Sequence, residues 1–167
     1  MALADNQIAL NKRLRDQTTG AVIRIWKGLP AYNEENVDQW LSQVLPTVLA
    51  AQRQEVALTE AYLARALDRP AVGIDPETVI GAAARGGTPP EEVYRRPFVA
   101  VWSALGDMVP WDDAVALGQA RATSTAATDV QMAMRNTLRA VGDIDPEIAG
   151  FQRVADPGAC EFCQMLD

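Results

Sequence analysis

The apolar positions along this chain recur at steps of three and four for most of its length. Ile8, Leu14, Val22, Ile25 and Trp26 mark a first helix from Leu3 to about Lys27, with a polar stretch around Asp16 to Thr19. Gly28 and Pro30 end it. Val37, Trp40, Leu41, Val44, Leu45, Val48 and Leu49, continued by Val56, Tyr62, Leu63 and Leu67, predict a second helix of about 34 residues, roughly 50 Å long. Asn33 is placed to cap it, and Glu34 and Glu35 lie in the first turn, where the helix dipole favours anions. Pro46 lies inside and should kink it.

A connection with one short helix at Pro76 to Ala83 follows. Thr88, Pro89, Pro90 and Glu91 read as a capping box with proline at the first helical position. The helix they open carries Val93, Tyr94, Phe98, Val101, Trp102 and Leu105, and Pro97 should bend or split it. After Pro110 the pattern predicts one more long helix, with Asp112 and Asp113 in its first turn. Its middle, Arg121 to Thr128, is small and polar, which suits either close packing against a neighbour or a poorly ordered stretch. Near the end the period changes. Phe151 to Ala155 alternates as a strand does, and a turn at Asp156, Pro157 and Gly158 leads into Cys160 and Cys163. The expected fold is all-α: an elongated bundle of long, proline-kinked helices over residues 1–142. A short irregular or β tail over 143–167 begins a small cysteine-containing domain that is not completed here.

Composition narrows the function classes. Half of the 167 residues are apolar, much of this alanine, and the net charge is −7. That charge argues against sequence-specific nucleic-acid binding and against anionic membranes. No apolar run approaches a membrane span, and Asp5, Asn6 and Gln7 interrupt any signal-peptide core, which points to an intracellular site of folding or assembly.

There is no histidine, so the commonest general base and metal ligand are missing. No phosphate-binding glycine loop of either common spacing is present. The expectation is a non-enzyme with no catalytic residue and no cofactor of its own. Arg95 and Arg96 form a basic doublet that could touch an acidic partner or phosphate, or simply face solvent. Trp26, Trp40, Trp102 and Trp111 fall one to each helical region or its edge; they either pack between helices or anchor an interface.

Cys160 and Cys163 are the only cysteines. A closed zinc site needs four ligands, so these two could bind zinc only with help from Asp156, Glu161 or Asp167, or with ligands from residues beyond Asp167 or from another chain. Structural thiols and redox chemistry remain the alternatives, the latter without the βαβ setting it usually has.

The stretch GFQRVADPGACEFCQMLD resembles the region around the CxxC of Mu F-like phage head-morphogenesis proteins, especially those of phages of actinobacteria. The matching positions are Arg153, Val154, Asp156, Pro157, Gly158, Ala159, Cys160, Phe162, Cys163, Met165 and Leu166. The resemblance implies a minor structural protein of the virion, incorporated during procapsid assembly in the host cytoplasm. Its implied partners are the portal protein or the major capsid protein, in several copies at the portal vertex or inner capsid, with a part in genome packaging or delivery. An alternative implied by the same resemblance is the docking region of a capsid maturation protease whose catalysis lies downstream.

Overall fold

The computed structural model describes residues 2–148. Among these every regular element is helical, and the all-α expectation holds. Helix α1 spans Ala2–Lys27, α2 Val37–Ala66, α3 Gly81–Ala84, α4 Pro90–Gly106 and α5 Trp111–Ile144. Single 3-10 turns at Glu34–Asn36 and Pro76–Thr78 precede α2 and α3. At 1.5 Å per residue α2 and α5 are about 45 and 51 Å long. The alternating segment Phe151 to Ala155 and the CxxC lie outside the described residues.

Helix α1 runs through the polar stretch Asp16 to Thr19 as predicted, and Thr18 and Thr19 there donate their hydroxyls to the carbonyls of Leu14 and Arg15. Several local expectations change. Asn33 does not cap α2; its side chain instead accepts from the Asn36 amide, and Glu34–Asn36 tightens into the 3-10 turn. The box at Thr88 does not form either: α4 starts from Pro89, whose φ of −58° and ψ of 136° aim the chain into the helix without a side-chain cap. The connection helix splits into the turn at Pro76–Thr78 and α3. Neither internal proline divides its helix. Pro46 and Ser42, the residue whose carbonyl loses its partner, both face solvent, so the freed carbonyl is open to hydration. Pro97 is buried, and α4 nonetheless runs unbroken to Gly106.

Helix α5 is the axis of the body: α1, α2, α3 and α4 all pack on it. Its buried stripe is Ala114, Gly118, Ala122, Ala126, Val130, Ala133, Thr137 and Val141, at steps of three and four. The small polar middle is therefore a close-packing seam. At Gly118 an added Cβ would stand 2.5 Å from Val101 Cγ2 and 2.6 Å from Trp26 Cζ2, so the glycine sets how near α1 and α4 approach. The bulk that fills the opposite side comes from Trp26 and Trp40, whose rings meet edge to face at 5.2 Å, and from Phe98, 5.2 Å from Trp26. Large rings from three helices thus interlock with a flat fourth.

One polar network crosses this core. Asp129 of α5 accepts from Arg85 Nε at 2.6 Å and from the Tyr94 hydroxyl at 2.8 Å. Its carbonyl accepts from Gln52 Nε2 at 3.2 Å, and Trp40 Nε1 donates to the Tyr94 carbonyl at 2.7 Å. Burial beside the Asp129 carboxylate pushes the Tyr94 hydroxyl's pKa far up, so it stays a donor.

A second polar position is not satisfied. Glu55 of α2 is 1 % exposed, and neither carboxylate oxygen has a hydrogen-bond partner; the hydroxyl of Thr59, one turn on, also has none. Burial raises the Glu55 pKa to about 7, with the nearby Thr59 hydroxyl and then the charge of Arg15 opposing the rise. An opening of about 270 Å³ adjoins it between α1, α2 and α5, and Lys12, Arg15 and Arg135 line this space.

Candidate functional site

The four tryptophans separate by burial. Trp26 and Trp40 are fully buried and belong to the core, not to a surface. Trp102 and Trp111 come together at one end of the bundle. With Ala31, Tyr32, Asn33 and Glu34 they line an open cleft of about 500 Å³. Trp111 is 53 % exposed there.

The loop after α1 builds one wall. Gly28 and Pro30 turn the chain so that Tyr32 lies back on Trp26, with ring centroids 4.8 Å apart and its hydroxyl donating to the Trp26 carbonyl at 3.1 Å. Trp102 of α4 then donates from Nε1 to the Tyr32 carbonyl at 2.9 Å. Trp111, at the start of α5, faces Tyr32 at 6.2 Å. Desolvation raises the Tyr32 pKa, which keeps the hydroxyl protonated as a donor. Two of the cleft's rings, Tyr32 and Trp102, are thus held by hydrogen bonds to backbone carbonyls, and the third, Trp111, stands exposed beside Tyr32.

The segments that form and flank the cleft are acidic. Glu34, Glu35, Asp107, Asp112 and Asp113 are all exposed. Arg95 is not a free cation: it is ion-paired to Glu34. Arg96 pairs with Glu92 one turn back, at 3.1 Å. Each arginine of the doublet has an internal carboxylate, as a solvated helix face would provide. Cys160 and Cys163 lie outside the described residues. Among the described residues no group of three or more Asp, Glu, Cys or His side chains is placed to hold a metal.

The turn between α4 and α5 holds a residue that the pattern did not single out. Met108 has φ 59° and is 90 % exposed. A methionine at this position is hidden in sequence because Gly106, two residues earlier, reads as the helix-ending glycine. In the structure Gly106 is the last residue of α4, and Met108 takes the left-handed position.

No curated protein and no solved structure matches the chain. A family model described as VG15 protein matches residues 2–167, helical body and cysteine-bearing tail together. The chain therefore belongs to the VG15 protein family, a viral family, and is a phage protein.

Proposed function

We propose that this chain is a minor structural protein of the virion, associating with the portal vertex or the inner capsid during head assembly, and that it acts by binding and not by catalysis. Membership of a viral family sets the context. The observation that carries the reading is the aromatic cleft of Tyr32, Trp102 and Trp111. It is open to solvent and rigidly framed, in a body that otherwise turns its large rings inward. Tryptophan and tyrosine held in place dock at low entropic cost, which is what an assembly surface needs. The tail sequence around Cys160 and Cys163, with its likeness to head-morphogenesis proteins, supports the same reading. Mass spectrometry of purified procapsids and virions should find this polypeptide at a fixed ratio to the portal protein. Its absence from both particles would overturn the proposal.

A further inference from the structure

We infer that the corner between α4 and α5, Met108 together with Trp111, Trp102 and Tyr32, docks a basic protein segment that carries an apolar side chain among its lysines or arginines. This rests on the assembly reading above and names the surface and the chemistry of the partner.

The backbone supplies the first argument. Helix α4 ends with the Val109 amide bonded to the Ala104 carbonyl at 2.9 Å and the Met108 amide bonded to Leu105 at 3.1 Å. This is the Schellman pattern, and its left-handed residue is normally glycine, because a Cβ is disfavoured there. Here the position holds Met108. At 90 % exposure its side chain contributes almost nothing to the fold. A residue that strains the backbone and buries nothing has its use outside the molecule. Methionine is also the apolar side chain that adapts best to a partner's contour.

The second argument is position. Three residues on, Trp111 opens the cleft whose other rings are held by Trp26 and by backbone carbonyls. An adaptable apolar tip therefore lies three residues along the chain from the aromatic slot without lining it, and the slot receives one apolar side chain of the partner.

The third argument is charge. Glu35, Asp107, Asp112 and Asp113 are exposed on the segments that flank the corner, against Lys27, while Glu34 and Arg95 neutralise each other. Complementarity calls for a cationic segment. A second copy of this chain is disfavoured, since each carries −7 and would bring the same acidic collar.

The test uses the full chain and a lysine-rich twelve-residue peptide with one central leucine, followed by tryptophan fluorescence. A glutamate counterpart and a lysine peptide with glycine in place of leucine serve as controls. The leucine–lysine peptide should bind, and both controls should bind at least tenfold more weakly. Trp111→Ala should weaken binding at least tenfold. Met108→Gly should weaken it severalfold while leaving the melting temperature unchanged or higher, since glycine relieves the strain. The inference is overturned if the lysine peptide does not bind, if the glutamate peptide binds equally, or if Met108→Gly and Trp111→Ala leave affinity unaltered. Self-association abolished by Met108→Gly would also overturn it, making the occupant a second copy. In particles the two ideas separate. Absence of the wild-type chain sinks the assembly reading, whereas wild-type incorporation of a Met108→Asp, Trp111→Ala double variant sinks this surface alone.

Discussion

Gly118 shows how much one hydrogen can decide. In an isolated helix, Gly118→Ala would gain about 1 kcal/mol of propensity. In this bundle its methyl group would meet Val101 and Trp26 at sub-contact distances, with the Pro97 carbonyl at 3.0 Å. Overpacking of that kind costs about 1–3 kcal/mol. The expected outcome is a net loss of stability, read as a lower denaturant midpoint, where helix propensity alone would suggest a gain from glycine to alanine. Tyr94→Phe tests the buried network at the same scale. It removes one donor from Asp129 while Arg85 remains, so a loss of about 1–2 kcal/mol is expected in urea unfolding. Neither effect is visible from the residues in order. Gly118 and Asp129 gain their meaning from neighbours on α1, α2 and α4 and just past α3, which are distant in sequence. Met108 was masked by the nearer glycine.

At the scale of elements the chain was far more legible. The three- and four-residue recurrence of Val44, Val48, Leu63 and Val101 depends on local geometry alone, and α1, α2, α4 and α5 formed where it placed them. The helix starts were less so, because Asn33 and Thr88 had better partners, or a stiffer proline, beside them. Helix α2 also carries a position that its apolar stripe would not forecast. Glu55 occupies the core-facing side between Ala51 and Thr59 without a partner. Its folded pKa of about 7 lies above the ordinary carboxylate value. Folding therefore favours the protonated form. The carboxyl costs least below about pH 4.5, and its penalty grows as pH rises through 7. The charge of Arg15 opposes the rise, and Lys12 and Arg135 face the same opening from α1 and α5. Chemical-denaturation midpoints measured from pH 5 to 8 should fall for the wild type. They should be flatter for Glu55→Gln, which should also be the more stable protein at pH 8. Equal slopes for the two would show that the carboxyl is not the source.

At the scale of the whole molecule, Met108 and Trp111 are exposed three residues apart between the exposed acids Asp107 and Asp112, while other exposed apolar side chains, Ile8, Leu67 and Ile144 among them, are spread over the other elements. The sequence supplied the tryptophans as candidates but could not sort them, because burial is a property of the assembled bundle. Trp26 and Trp40 went inside, and Trp102 and Trp111 to the cleft. If the acidic collar steers a basic partner, association should slow steeply with added salt while dissociation changes little, since screening acts on the encounter. Stopped-flow mixing with the lysine peptide between 50 and 300 mM salt would measure it; a salt-independent on-rate would remove the steering argument.

The central place of α5 has a consequence for how the chain is made. The helix that closes the core is synthesised after α1, α2, α3 and α4, and each of them packs on it. During translation Trp26, Trp40 and Phe98 can gather, but the flat seam from Ala114 to Ala126 that should cover them is still inside the ribosome or not yet made. The nascent body must wait with its largest rings half covered, the interval in which a chaperone would find most to hold.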